Sequence, residues 1–228
     1  MKKIVAFFVL FALVLLPATS ALAEPQHMKR IKEATRLINK MAIEEDAENL
    51  ADVVKSGKAV AIFPNVKKAG FIVGGQYGDG VVFVKDGKGG WLGPAFMTIV
   101  GGSIGYQIGL ESVGLVLVVT NQKGVVAFTG GKSFKLGADI DVAAGPVGRR
   151  ASASTDTRFT AAIYSYSMAQ GLFAGVGVDG SVINQNREAS KNYWGKALEA
   201  KQALSRPAKD KRVTDLVKAL NNLQKKAK

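Results

Sequence analysis

The stretch Gly171–Ser181, GLFAGVGVDGS, decides which fold the rest of the chain can take. Gly175, Gly177 and Gly180 fit the G-x-G-x-x-G spacing of a dinucleotide-binding turn. That turn works only when a strand enters it and a helix opens within it, because the helix N-terminus holds the pyrophosphate. Here Phe173, Val176, Val178, Ser181 and Ile183 continue as an extended, glycine-broken strand, and no helical period begins before Arg187. The acid required about 20 residues further on would be Glu199, which falls in a predicted helix. The glycines are therefore read as bends in a sheet.

All 26 glycines lie between Gly57 and Gly195, which divides the chain into a leader (1–23), a helical segment (24–56), a glycine-rich centre (57–195) and a basic tail (196–228). In the centre, Ala59–Phe63, Ala69–Gly78, Gly80–Trp91 and Val113–Thr120 are rich in β-branched and aromatic residues between turn formers. Asp86-Gly87 supplies a hairpin turn, and further strands fit Lys132–Ala144, Ala161–Tyr166 and Leu172–Ile183. The expectation is an α+β protein: a curved, antiparallel, barrel-like or sandwich sheet flanked by N- and C-terminal helices. Met28, Ile31, Leu37, Ile38 and Met41 recur at helical spacing with Lys29, Arg30, Lys32, Arg36 and Lys40 between them. Such a helix either packs on its own domain or lies on a membrane, inserting Ile31, Leu37 and Ile38. A second helix fits Asp46–Ser56, and the tail from Tyr193 reads as helix, a break at Pro207, then helix through Leu223.

Met1-Lys2-Lys3, the apolar run Ile4–Leu16 and Ala21-Leu22-Ala23 have the layout of a secretory signal. Thirteen apolar residues fall short of the roughly 20 that span a bilayer. A mature chain starting near Glu24 is expected in a periplasm, peripheral to the membrane. There is no cysteine, hence no disulfide framework and no thiolate metal site. Without Lys2 and Lys3 the net charge is +11, of which residues 196–228 carry +7. A basic exported protein meets little nucleic acid, so no nucleic-acid partner is expected. Charge alone leaves two readings, attraction to an acidic lipid surface or simple solubility.

Gly101–Gly105, GGSIG, matches a nucleophile elbow, but that serine needs a histidine later in the chain. The single histidine, His27, lies upstream and is expected at an exposed, frayed end. Oxygen ligands for a metal are scattered, and Asp139 and Asp141, on one face of a predicted strand, are most simply its outer polar residues. The residues thus point to no enzyme, no cofactor and no metal.

Taken together, AVAIFPNVKKAGFIVGGQYGDGVVFV (59–84), WLGPAFMTIVGGSIGYQIGLE (91–111), KLGADIDVAAGPVGRRA (135–151), AAIYSYSMAQGLFAGVGVDGSVI (161–183) and NYWG (192–195) resemble the SYLF domain in order and spacing. This is a lipid-binding module of eukaryotic endocytic proteins and of many bacterial exported proteins. The resemblance covers about Ser56 to Gly195, and GPVGR and IYSYSMAQGLFAGV are its most specific blocks. It implies binding of anionic lipid, actin binding by some fungal members, and no catalysis. The signal sequence puts actin binding by this chain in doubt, since an envelope offers acidic lipids but no actin. Candidate headgroup contacts are Lys67 and Lys68 after Pro64-Asn65, Lys132 and Lys135 after Gly130-Gly131, and Arg149 and Arg150 after Gly145-Pro146, each beside a turn whose N–H groups could assist an anion. Arg149 also falls in the GPVGR block. The alternative is an envelope protein-interaction module, with an apolar-ligand carrier third.

Overall fold

The computed structural model describes residues 24–147, 160–169 and 171–228; residues 1–23, where a signal is expected, and the candidates Arg149 and Arg150 lie outside the described residues. Two helices, α1 (Gln26–Met41) and α2 (Ala47–Ser56), precede two very long strands, β1 (Ala59–Lys85) and β2 (Trp91–Val119). Then come α3 (Gln122–Thr129), β3 (Phe134–Lys135), β4 (Val142–Ala144), β5 (Ile163–Ala169), β6 (Leu172–Gly175), β7 (Val182–Gln185), α4 (Arg187–Trp194), α5 (Ala200–Ala203) and α6 (Thr214–Gln224). The strands form one curled half-barrel with helices from both ends of the chain against it. It is antiparallel except where β4 runs parallel to β5, Val142 facing Ile163.

The expected run of short strands is in fact a single hairpin, β1 pairing β2 from Ala59↔Val119 to Lys85↔Trp91 around the turn at Asp86-Gly87. Pro64-Asn65 is not a turn between strands. It is a bulge inside β1, between the Phe63 and Val66 pairings, where proline's missing N–H costs no ladder bond. The strand over 132–144 breaks into β3 and β4, with Asp139 in the turn between them, where it accepts the Lys135 N–H at 2.7 Å. Asp139 and Asp141 therefore do not share a strand. Residues 121–131, to which periodicity assigns nothing, hold α3, whose N-cap Asn121 accepts the Gly124 N–H at 3.0 Å.

Over Ala59–Phe63, Val81–Phe83 and Leu115–Val119 the sheet is buried on both faces, which is why these stretches read as unbroken apolar runs. Val60, Ile62, Val81, Phe83, Val116 and Val118 face α1, α2 and α6. Their sequence neighbours Ala61, Phe63, Val82, Leu115, Leu117 and Val119 fill the inside of the curl with Phe128 of α3 and Leu198 and Leu204 around α5. Segments outside the central sheet thus supply both cores. Leu216, Leu220 and Leu223 of the basic tail are completely buried.

The curl has a tight point at Gly78-Asp79-Gly80. A Cβ on Gly80 would lie 2.5 Å from Phe63 Cδ1 and 2.6 Å from the Ile62 carbonyl oxygen; one on Gly78 would lie 2.9 Å from Val66 Cγ2. Only glycine lets β1 pass this close to its own beginning. Asp79, between them, faces α1 and binds Arg30 Nη2 at 2.9 Å. Its other oxygen accepts from Asn186 (3.0 Å), Thr98 (3.1 Å) and Tyr77 (3.3 Å). Asn186 is also the N-cap of α4, accepting the Ala189 N–H at 2.9 Å. One carboxylate ties β1, β2, α1 and the start of α4 together.

The nucleotide-like glycines sit from the end of β6 to the turn before β7, and no helix opens among them. Gly180 has φ +82°, whereas Gly177 is not in the left-handed region. Gly101–Gly105 lies inside β2, not at a strand-to-helix elbow.

Gly80→Ala, forced against Phe63, is expected to lose about 1–3 kcal/mol in urea denaturation, whereas Gly177→Ala, whose Cβ meets nothing nearer than Asp179 Oδ2 at 3.6 Å, should stay within about 0.5 kcal/mol of the wild type. Asp79→Ala strands the buried Arg30 guanidinium without its counter-charge and is expected to cost about 3 kcal/mol or more by the same assay.

Candidate functional site

Along α1, positions 26, 29, 33, 36 and 40 fall on one helical face. That face looks onto the β1 bulge across two adjoining clefts. The first, of about 410 Å³, is lined by Gln26, Lys29, Arg30 and Glu33 of α1 and by Lys67, Tyr77 and Asp79 of β1, among others. The second, of about 370 Å³, continues past Arg36, Leu37 and Lys40 to Gly114 and Met168. Glu33, Pro64, Asn65 and Ser112 line both, so the two form one groove. Its length, set by the rise from residue 26 to 40, is about 21 Å. Asn65 Nδ2 donates to Glu33 Oε2 at 2.7 Å across the middle, pinning the bulge to the helix.

Five cations line this groove against two carboxylates. Both carboxylates are engaged, Glu33 by Asn65 and by Lys29 at 3.9 Å, and Asp79 by Arg30 and its three neutral donors. Arg36, Lys40 and Lys67 are exposed and form no ion pair among the described residues. Arg30 differs from them. It is buried, lies 5.8 Å over the Phe96 ring and leaves Nη1 without a hydrogen-bond partner. Burial holds its pKa below the ordinary arginine value, with Asp79 opposing that shift. Arg30 is a strut of the groove wall and not a free cation. Among the described residues no group of three or more His, Cys, Asp or Glu side chains could hold a metal.

Of the residues marked in the sequence, Lys67 stands at the rim of the groove, and Lys68 is half-buried opposite Glu111 in the ladder. Lys132 and Lys135 are exposed near the β3 edge and line neither cleft. The Lys135 backbone N–H is taken by Asp139 Oδ2 at 2.7 Å. The structure does not join these positions into one site. It joins Lys67 instead to Lys29, Arg36 and Lys40, three residues visible in advance only as the polar side of α1, because nothing local to α1 says that the bulge lies opposite.

Of the two readings of α1, packing on its own domain is the one the structure bears out, while the expectation of an exposed His27 is corrected. Ile31, Leu37 and Ile38 are buried in the helix-side core, where they cover the sheet, so they are not free to insert into a bilayer. His27 is not at an exposed end. It is 9% exposed, edge-on to Phe96 at 6.4 Å and Tyr193 at 6.0 Å. Among the described residues no helix is long and apolar enough to cross a membrane.

The two specific sequence blocks also meet. Tyr166, stacked on Phe173 at 5.6 Å, lies against Gly145, where a Cβ would overlap its ring. Ser165 Oγ donates to the Ala143 carbonyl at 3.1 Å and to that of Val176. Burial pushes the Tyr166 phenol well above the ordinary tyrosine value, so it stays neutral. Gly145, the first residue of the GPVGR block, and Tyr166 of IYSYS therefore pack against each other.

A family model described as Las17-binding protein actin regulator matches residues 100–223. LAS seventeen-binding protein 3 of Saccharomyces cerevisiae is 37% identical over 156 residues, 68% of this chain and 34% of that protein. Human SH3 domain-containing YSC84-like protein 1 is 33% identical over 180 residues, 77% of this chain and 52% of that protein. The chain thus spans about a third to a half of the length of these relatives. Because the matched span runs from within β2 to the last turn of α6, it takes in elements of both cores, and the chain belongs to the Ysc84 family of SYLF-domain proteins.

Proposed function

We propose that this chain is a non-enzymatic exported protein that binds acidic lipid surfaces through the basic groove between α1 and the β1 bulge. The observation that carries this reading is the row Lys29, Arg36, Lys40 and Lys67, exposed along one groove whose carboxylates are already engaged. Each such cation near a charged membrane contributes about 1 kcal/mol. The apolar stripe of α1 is spent on the core, so contact is electrostatic and headgroup-deep. The exposed lysines of the tail add longer-range attraction. The relatives named as Las17-binding favour a second reading, in which the same face binds a protein.

Deleting residues 196–228 would strip both cores, so charge substitution is the usable test. In co-sedimentation with phosphatidylglycerol vesicles, the quadruple variant Lys29→Gln, Arg36→Gln, Lys40→Gln, Lys67→Gln is expected to bind at least about tenfold more weakly. Lys132→Gln with Lys135→Gln should change binding little. Rising salt should weaken the wild type, since screening acts over about 8 Å at physiological ionic strength. A folded wild type that ignores acidic vesicles at low salt replaces this reading with the protein-binding one. For export, N-terminal sequencing of the native protein should begin at or near Glu24; intact Met1 in a cytoplasmic fraction would end that part of the proposal.

A further inference from the structure

We infer that His27 is a pH-operated latch: its neutral imidazole holds the first turn of α1 between β2 and α4, and protonation releases that end of the helix and with it one wall of the groove. The bearing of this latch on lipid binding rests on the function proposed above; the docking of α1 does not.

His27 is the only histidine of the chain and sits in the first turn of α1. Its ring is buried against the rings of Phe96 and Tyr193 at interplanar angles of 83° and 88°, and it makes no hydrogen bond among the described residues. The charged and titratable groups around it come from every neighbouring element. Arg30 lies one turn on in α1. Tyr193 of α4 has its phenol pushed up to about 12, chiefly by burial, and is neutral. Arg212, before α6, lies 3.8 Å over the Tyr193 ring, gripped by both oxygens of Asp210 at 3.0 and 2.6 Å. Asp79 of β1 is committed to Arg30.

An imidazolium in this slot would face two guanidinium groups, with the nearby carboxylates already paired to them. Each neighbouring ring already has a guanidinium against it, Arg30 on Phe96 and Arg212 on Tyr193, so neither is open to a further cation. The positive end of the helix dipole adds to the penalty. In agreement, burial first, then Arg212 and Arg30, hold the His27 pKa below its ordinary 6.5. Above pH 6.5 the ring is neutral in both folded and unfolded chains, and docking is complete. As pH falls below that value the unfolded chain takes up the proton first, and docking is lost progressively until the lowered folded-state value is passed.

A single histidine makes the test direct. In the full chain, the imidazole resonance should titrate below 6.5. Deuterium exchange over residues 26–41, corrected for intrinsic rate, should accelerate several-fold between about pH 7.5 and about pH 5.5, while α2 changes less. His27→Phe keeps an aromatic ring in the slot and removes the charge, so its exchange should lose this acceleration. If that variant does not fold, His27→Gln makes the same comparison. A titration midpoint at or above 6.5, or equal acceleration in wild type and the uncharged variant, overturns the latch. Neither readout contains lipid, so a wild type that shows the acid release but ignores acidic vesicles upholds the latch and removes the function proposed above.

Discussion

The doubling of β1 over its own beginning is the constraint on which the rest depends. At Gly78 and Gly80 the inner face of the strand has no room for a side chain, because Phe63 and Val66 stand where one would be. The residue between them points the other way, toward the helices, and there the chain places a carboxylate. Half-burying that charge is tolerable only with good partners. Arg30, Asn186, Thr98 and Tyr77 supply them from α1, the cap of α4, β2 and β1. A backbone crossing that demands glycine is thereby converted into a rule about where α1 and α4 must sit.

The groove follows from that placement. Arg30 anchors one end of α1 to Asp79, Asn65 on the β1 bulge binds Glu33 in the middle, and Leu37 and Ile38 are drawn into the core beyond. What is left on the solvent side is a row of lysines and an arginine facing the bulge. The same helix would be written, residue for residue, for lying on a bilayer, since both uses ask for one apolar stripe and one basic face. Tertiary contact decides between them, because an apolar stripe can be buried only once.

The C-terminal segment has a similar double character. Apart from Arg212, which lies over the Tyr193 ring, its cations lie outward, while Leu198, Leu204, Leu216, Leu220 and Leu223 close the sheet on both sides. Charge and packing are carried by different faces of the same helices. The segment is both the most basic part of the chain and part of its core. The family match extending to residue 223 agrees with that integral role.

Local sequence determined the classes of element: the helix before Met41, the Asp86-Gly87 turn, the β character of the centre, the break at Pro207, and the failure of the nucleotide and nucleophile patterns. These depend on periodicity, turn chemistry and the presence or absence of a histidine, which are properties of neighbours in the chain. The SYLF resemblance was legible too, because Gly145 and Tyr166 each keep their own block recognisable before the two meet. Only the tertiary structure decided that four predicted strands are one doubled hairpin, that Pro64-Asn65 is a bulge facing α1, that His27 and Arg30 are buried, and that Lys67 belongs with Lys29, Arg36 and Lys40 while Lys135 does not. Each of those depends on what stands opposite a residue across the curl, many positions away in the chain, and no local spacing encodes the partner on the far side.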